Sequence, residues 1–223
     1  AKARPGEVSL AHNGVLFLDE FPEYSRVALE ALRQPLEDGV VTVSRVSNTV
    51  TYPARFMLIA SMNPCPCGYY GSKIKQCKCS PAQIQRYLGR VSGPLVDRID
   101  LQIETDAVPY DSLRGQGSPE ESSAEVRKRV QQARLIQQKR FEGTGIFANA
   151  HMSARGINRF CRLSPDADSL LKSAFDSLKM SARAYSRILK IARTVADLAQ
   201  SEDITAEHIA EAIRYRSLDR KYW

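Results

Sequence analysis

The first part of the chain contains two short apolar runs separated by a helical pattern, an order typical of an α/β sheet. Residues 14–18 are continuously apolar, which predicts a buried parallel strand. Residues 56–61 predict a second buried strand. Between them, residues 25–37 repeat apolar side chains at helical spacing, and Pro35 and Gly39 mark the predicted end of this helix.

A change of period follows that helix. Val41, Val43, Val50 and Tyr52 alternate with polar residues on either side of a Ser-Asn pair, which predicts a two-stranded hairpin over residues 40–52. Two buried strands with a helix and a hairpin between them indicate an α/β sheet.

The rest of the chain reads as helical. Residues 108–119 are rich in Gly, Ser and Pro and predict a connection, and residues 119–142 predict a highly charged helix. Ser164 and Thr205 are predicted N-caps of two later helices. Apolar residues between those caps recur at helical spacing and predict a small bundle: Ile188, Ile191, Ala192, Val195, Leu198 and Ala199.

These patterns divide the chain into three predicted parts. An α/β core covers residues 1–107, a connection with a charged helix covers 108–150, and a helical domain covers 151–223. The fold class is therefore α/β followed by all-α.

Composition narrows the class of protein. The chain has 223 residues, of which 43% are hydrophobic, enough for one core and a smaller second one. No apolar run approaches the roughly 20 residues of a membrane helix, and residues 1–11 lack the apolar centre of a signal peptide, so we expect a cytoplasmic protein. A net charge of +7 favours polyanionic partners such as nucleic acid or nucleotide.

Two adjacent carboxylates end the first predicted strand. Asp19 and Glu20 would lie at the carboxyl edge of the sheet, where open α/β sheets bind ligands. Asp19 would hold Mg²⁺, directly or through water, and Glu20 would orient the water that attacks a γ-phosphate. The alternative is a pair of solvated acids after a strand.

Four of the five cysteines crowd into one short segment: Cys65, Cys67, Cys77 and Cys79. A disulfide scaffold would spread its cysteines along the chain, whereas four soft ligands in a local cluster suit tetrahedral Zn²⁺. The spacing is not the familiar C-x-x-C, so reduced free thiols remain the alternative. We expect Cys161 to fill the core.

The same segment carries residues able to stack on bases and neutralise phosphates. They are Tyr69, Tyr70, Lys73, Lys75 and Lys78. The alternative is an exposed surface of a zinc loop.

Four motifs occur in the order found in one family. Residues 14–20 resemble a Walker B element, and residues 60–68 resemble the sensor 1 segment of magnesium-chelatase-like AAA+ ATPases of the competence-helicase type. The resemblance places Asn63 against the γ-phosphate and the attacking water, a role that suits an amide because it both donates and accepts hydrogen bonds. The alternative is a cap on the turn before Pro64.

Two further segments extend the resemblance. Residues 93–100 resemble the segment that presents an arginine finger to the neighbouring subunit, which makes Arg98 the candidate. The alternative is a surface ion pair of Arg98 with a nearby aspartate. Residues 180–187 resemble sensor 2, which implies nucleotide contacts for Arg183, while Arg187 on the same helix face either joins the site or is solvated.

The resemblance implies a partial AAA+ P-loop core with a hairpin insertion, followed by a helical lid. In related machines the hairpin points into the channel of the ring, so Arg45 near its tip would touch DNA or support a subunit contact. No G-x-x-x-x-G-K-[ST] motif occurs in the chain, so the loop that cradles the phosphates is missing. We therefore expect a fragment that hydrolyses ATP poorly or not at all by itself.

The preferred hypothesis is part of a ring-forming, hexameric ATPase that uses ATP and Mg²⁺ to move on DNA, as in branch migration during recombination or natural transformation. One alternative is the ATPase subunit of a magnesium-chelatase-type metal insertion machine. A second is a non-catalytic, zinc-dependent nucleic-acid-binding module.

Overall fold

The computed structural model describes residues 3–45, 48–105, 108 and 121–216, with Arg45 and Asn48 described by their backbone alone. The predicted connection over residues 108–119 lies outside this part of the chain apart from Val108, as does the side chain of Arg45. The chain divides into two compact units, the first ending at Ile99 and the second beginning at Asp100.

The first unit combines short helices with two small sheets. Its elements are α1 (Glu7–Leu10), β1 (Val15–Leu18), a 3₁₀ turn (Phe21–Glu23), α2 (Arg26–Ala31), α3 (Arg33–Asp38), β2 (Val40–Arg45), β3 (Asn48–Pro53), β4 (Met57–Ala60), α4 (Pro81–Leu88) and α5 (Gly93–Val96).

The two predicted apolar strands pair in parallel, with Val15 opposite Met57 and Leu18 opposite Ala60. One face of this pair carries Leu16 and Leu18, which pack on a core of Phe21, Leu29, Leu32, Val91, Leu95 and Val96. The predicted burial of these strands is wrong for the other face: Val15, Phe17, Met57 and Ile59 are each at least 45% exposed. The apolar runs predicted the two strands correctly, but none of the described residues covers the second face of the pair.

The helix predicted over residues 25–37 is two helices. Ser25 caps α2 by accepting a hydrogen bond from the backbone N–H of Ala28 at 3.2 Å, and the chain bends at Leu32 before α3. Pro35 does not end the helix, because it lies in the first turn of α3, where a missing N–H costs no helical hydrogen bond. Gly39, at φ +67°, provides the predicted stop.

The predicted hairpin is present as an antiparallel pair, from Val40 opposite Pro53 to Arg45 opposite Asn48. Hydroxyl pairs join its strands on one face, at 3.2 Å between Thr42 and Thr51. The predicted alternation is therefore confirmed.

The second unit is helical, as predicted. Its elements are α6 (Ser123–Arg140), a 3₁₀ turn (Asn149–His151), α7 (Ala154–Phe160), α8 (Pro165–Leu178), α9 (Ala182–Leu198) and α10 (Ala206–Arg214). Ser164 caps α8 as expected, by accepting from the N–H of Ala167. At the start of α10, the imidazole of His208 accepts from the N–H of Thr205 at 3.0 Å.

Helix α9 provides the centre of the helical core. Ile188, Leu189, Ala192 and Ala196 are buried against residues of the surrounding helices, and the predicted core position of Cys161 is confirmed. Leu198, predicted to pack, is 38% exposed because it lies on the last turn of the helix. None of the described helices is long and apolar enough to cross a membrane.

Candidate functional site

The two predicted acids and the sensor 1 segment meet at one edge of the β1–β4 sheet. Because the strands are parallel, their carboxyl ends lie together, and Asp19 follows β1 as Ser61 follows β4. The hydroxyl of Ser61 donates a short hydrogen bond to Oδ1 of Asp19, and the N–H of Ser61 donates to the carbonyl of Leu18 at 3.0 Å. These contacts join the two motifs at the level of individual atoms.

Glu20 adopts a left-handed backbone conformation, with φ 51° and ψ 47°. This region is costly for a residue with a Cβ, by about 1–2 kcal/mol, and persists where the surroundings enforce it. The next residue does so: Phe21 is buried, and its N–H donates to the carbonyl of Ser61 at 2.9 Å. Glu20 is thus held exposed at the sheet edge, beside Asp19.

The carboxylate of Asp19 fits a magnesium ligand. Its Oδ1 accepts from Ser61 and from the N–H of Glu20 at 3.1 Å, and among the described residues these contacts leave Oδ2 for a cation. A hard divalent cation prefers such exposed carboxylate oxygens.

A second anchor holds the turn that follows Glu20. Arg90 donates to the carbonyl of Pro22 at 3.2 Å and to the carboxylate of Glu23 at 2.6 Å. This arginine also lines an open cleft of about 420 Å³ together with Arg26 and Arg86. Sequence reasoning missed these arginines, although the i, i+4 spacing of Arg86 and Arg90 across the end of α4 was a readable signal.

Asn63 lies three residues beyond β4 and is exposed. Its backbone hydrogen-bonds the hydroxyl of buried Tyr87 in α4, and burial raises the pKa of that phenol. A Cβ placed on Gly68 would lie 3.8 Å from Oδ1 of Asn63, so the glycine turn passes close to the amide. Asn63 thus lies near the carboxyl edge of the sheet, and its sensor 1 role and contact with a γ-phosphate stay predictions.

Arg98 is largely covered rather than projecting from the surface. Its side chain is 11% exposed, forms an ion pair with Glu37, and donates to the carbonyl of Pro94 at 2.6 Å. This ion pair joins Arg98 to Glu37, a residue of α3. A role as a finger would require the guanidinium to leave Glu37.

The predicted sensor 2 residues lie at the start of α9. Arg183 is exposed in its first turn, and Arg187, one turn later, pairs with Asp100 at 3.3 Å. Their contacts with nucleotide stay a prediction.

The four clustered cysteines come together in space. Their Sγ atoms all lie within 4.8 Å of one another, and the four thiols are free. Cys65 is fully buried, and backbone N–H groups of Lys78 and Tyr69 lower the pKa of Cys67 to about 6. The structure therefore brings together the four thiols of the predicted cluster, and their binding of zinc stays a prediction.

The aromatic and basic residues of the same loop are exposed, with one internal pairing. Nζ of Lys75 lies 4.6 Å from the ring centroid of Tyr69, while Tyr70 is 42% exposed. Lys73 and Lys78 are also exposed. This surface is accessible to a polyanion, and its contact with DNA stays a prediction.

Two family models match nearly the whole chain. The model described as magnesium chelatase, subunit ChlI, matches residues 1–113, and the model of the ChlI C-terminal part matches residues 120–216. Asp19, Glu20, the segment 60–68 and the cysteine cluster fall in the first match, and helix α9, which carries Arg183 and Arg187, falls in the second.

Curated relatives agree with these matches. The chain is 46% identical over 217 residues to the competence protein ComM of Haemophilus influenzae, and 47% identical over 216 residues to the uncharacterized protein YifB of Escherichia coli. It is 41% identical over 214 residues to the uncharacterized protein Rv2897c of Mycobacterium tuberculosis. These alignments cover 96–97% of the chain but 42% of each relative, so the chain spans less than half of their length.

Proposed function

Because the chain belongs to the magnesium chelatase ChlI family, we propose that it is the hydrolysis-and-lid part of a longer AAA+ ATPase. The observation that carries the proposal is the sheet edge where Asp19 bonds Ser61 and Glu20 is held exposed in a left-handed conformation. The relatives are more than twice as long as their aligned segment, which supports a phosphate-binding loop supplied by the rest of the protein. This chain alone would then hydrolyse ATP poorly or not at all.

Each residue of the edge has a distinct role. Asp19 would hold Mg²⁺, which neutralises charge on the β- and γ-phosphates when bound. Glu20 would orient and polarise the attacking water, and Asn63 would hydrogen-bond that water and the γ-phosphate. The Ser61 hydroxyl keeps the Asp19 carboxylate in one orientation.

The arginines would complete the nucleotide site from a neighbour and from the lid. Arg98 would act on the nucleotide of the next subunit after release from Glu37, which requires a ring and favours a hexamer. Arg183, with Arg187, would report the nucleotide state to the helical unit, because a lid that closes on phosphate changes the domain angle.

DNA is the proposed client. One relative is named a competence protein, and the net charge of +7 suits a polyanion. Tyr69, Tyr70 and the loop lysines would contact the strand, and Arg45 would reach it from the hairpin. The motor would remodel or branch-migrate DNA during recombination or natural transformation.

The test is ATP hydrolysis by a protein extended to the full length of the relatives, with and without branched DNA. Glu20→Gln should lower the rate by about 100-fold or more while ATP still binds, because the amide keeps the shape and loses the base. Glu7→Gln is the matched control, since Glu7 is an exposed acid of α1 in the same unit and lies outside the turn that holds Glu20, and it should stay within a few-fold of wild type.

The outcomes separate the candidate functions. DNA stimulation that disappears in Glu20→Gln supports the DNA motor, and hydrolysis indifferent to DNA points to metal insertion of the chelatase type. Absence of hydrolysis, with DNA binding that survives Glu20→Gln, would replace the motor with a binding module.

A further inference from the structure

Four thiols converge in the loop between β4 and α4, and no step of the proposed ATPase chemistry uses them. We propose that Cys65, Cys67, Cys77 and Cys79 bind one Zn²⁺ in a tetrahedral site, and that the bound ion holds Asn63 in position. The second half of this proposal rests on the proposed function, and the first half stands without it.

The distances among three of the sulfurs match ligands of one shared ion, and Sγ of Cys79 lies within 4.8 Å of all three. Zinc–sulfur bonds of about 2.3 Å in a tetrahedron place neighbouring sulfurs about 3.8 Å apart. Sγ of Cys65 lies 3.4 Å from that of Cys67 and 3.7 Å from that of Cys77, and Cys67 to Cys77 is 3.6 Å. In a [4Fe–4S] cluster each thiolate binds a different iron, and in a [2Fe–2S] cluster two thiolates bind each iron, so in either case the four cysteine sulfurs would not all lie within 4.8 Å of one another as they do here.

Local turns build the site from both ends of the loop. The N–H of Gly68 donates to the carbonyl of Cys65 at 3.0 Å, and the positive φ of Gly68, +79°, closes a turn that brings Cys65 and Cys67 together. At the other end, the N–H of Cys79 donates to Sγ of Cys77 at 3.4 Å. These backbone contacts hold one pair of thiols at each end of the loop.

Regular secondary structure does not stabilise the loop between β4 and α4. Residues 61–80 contain no regular helix or strand, and residues 69–76 are all exposed. A loop of this length is uncommon in a compact unit without a function or a clamp. A disulfide would need sulfurs about 2.05 Å apart, and these cysteines are free, so a metal is the clamp that fits.

Nearby lysines balance the charge of the site. Four thiolates around one Zn²⁺ leave a net negative charge, and Lys78 lies in sequence between two ligands, with Lys73 and Lys75 earlier in the same loop. Their positive charges offset it and make a zinc-bound loop compatible with a nearby polyanion.

The clamp reaches Asn63 through helix α4. Cys65 packs with Ile84, Tyr87 and Leu88, and the backbone of Asn63 bonds the hydroxyl of the same Tyr87. The first ligand follows Asn63 by two residues, and the last precedes Ser80, which caps α4 by accepting from the N–H of Gln83. Loss of the ion would therefore loosen the amide without removing it, which makes the cysteines positioning residues.

The first experiment measures metal in the chain, purified under reducing conditions without chelators. We expect about one zinc per chain, and Co²⁺ in its place should give the sulfur-to-cobalt and visible bands of a tetrahedral thiolate site. A chain without zinc, a chain that carries iron instead, or octahedral cobalt bands would each overturn the site.

Variants assign the ligands. Cys77→Ser with Cys79→Ser should lose the zinc, Cys79→His should retain it because imidazole is also a ligand, and Cys161→Ser, which alters the buried cysteine of the other unit, should match wild type. A chelator should lower the Tm of wild type and leave that of the double variant unchanged. If the double variant does not fold, the wild-type zinc content and cobalt spectrum still decide; zinc retained by a folded double variant would refute the assignment.

The positioning role is tested in the full-length protein. Cys77→Ser with Cys79→Ser should lower kcat by about tenfold or more with little change in the KM for ATP, and Cys79→His, which retains zinc, should keep most of the wild-type kcat. An unchanged kcat after zinc loss would refute the link to Asn63. A wild-type protein that binds zinc and hydrolyses no ATP would refute the proposed function and leave the zinc site intact.

Discussion

Asp197 is fully buried in helix α9 and accepts hydrogen bonds from three side chains. Arg140 donates to both of its oxygens, Asn149 donates to Oδ2 at 2.8 Å, and Arg193 donates to Oδ1 at 3.1 Å. Arg193 is itself 1% exposed and donates to the carbonyls of Ser201 and Glu202, at 2.5 and 2.6 Å. One carboxylate therefore compensates two partly or fully buried guanidinium groups that come from different helices.

Removing that carboxylate should be costly. Asp197→Ala is expected to lower the free energy of unfolding of the helical unit by about 3–5 kcal/mol, because it leaves buried charge without a counter-ion. Urea unfolding followed by circular dichroism measures the change. Asp176→Ala, an exposed acid of α8, is the control and should alter stability by less than about 0.5 kcal/mol; equal effects would contradict the role of the network.

Arg98 shows that the role of a residue depends on the partner that the fold gives it. The sequence made it a candidate finger or a partner of a nearby aspartate, yet its guanidinium pairs with Glu37, 61 positions away. Within the proposed function, this contact holds the finger in a withdrawn position. Neither the motif nor the local charges revealed Glu37, because the pair depends on the packing of α3 beside α5.

At the scale of elements, Gly39 joins α3 to the hairpin. Its φ of +67° favours glycine, and a Cβ there would lie 2.9 Å from Cγ of Arg55. The N–H of Ala54 also donates to the carbonyl of Gly39 at 2.8 Å, so the backbone cannot easily move away.

Gly39→Ala should therefore destabilise the first unit through both strain and collision. The backbone strain of alanine at a positive φ costs about 1–2 kcal/mol of stability. Gly71→Ala measures this strain without a collision, because Gly71 has φ +81° and open space around it. We expect Gly39→Ala to cost more than Gly71→Ala in thermal or urea unfolding. In an Arg55→Ala background the two costs should converge; a difference that persists would rule out the collision with Arg55.

At the scale of the whole molecule, we expect the positive charges of the chain to differ in how much each contributes to DNA binding. The chain carries +7, and three of its lysines lie exposed in the loop that the proposed zinc site closes. Each contact between a protein cation and a DNA phosphate releases counterions, so log affinity falls with log salt concentration with a slope of about 0.7–0.9 per contact.

Changing Lys73, Lys75 and Lys78 together to Gln should weaken DNA binding and reduce the slope of log affinity against log salt by about 2–3. Fluorescence anisotropy at several salt concentrations measures both. Replacing Lys128, Lys139 and Lys172 of the helical unit by Gln removes the same charge and should change the slope less. Equal changes from the two triplets would mean that net charge, and not this loop, binds DNA.

The uncovered face of the β1–β4 pair also belongs to this scale. Val15, Phe17, Met57 and Ile59 present an apolar surface on a sheet that has two strands within the described residues, and such a sheet is marginal in water without further packing. A parallel pair ordinarily has both faces covered. The sequence predicted these strands as buried because apolar residues alone do not say which faces find a partner.

The sequence by itself determined the features that depend on a few neighbouring residues. The paired strands, the hairpin, the cap at Ser164, the stop at Gly39 and the acids at the end of β1 were readable, because propensity, capping and turn geometry act over one or two turns of chain. The bend at Leu32 and the helices α4 and α5 were not predicted. The closeness of Cys65 to Cys79 was predictable for another reason, because four metal-binding side chains crowd into one short segment.

Only the tertiary structure decided what depends on distant partners. The Ser61–Asp19 bond, the left-handed Glu20 and the Arg98–Glu37 pair each require two elements to pack in one arrangement. The buried Arg140–Asp197 pair joins residues 57 positions apart. The sequence did not predict this pair, because Arg140 lies in a highly charged helix and each residue by itself resembles a solvated surface charge. Contacts of this kind gain their energy from burial and geometry, which no local pattern encodes.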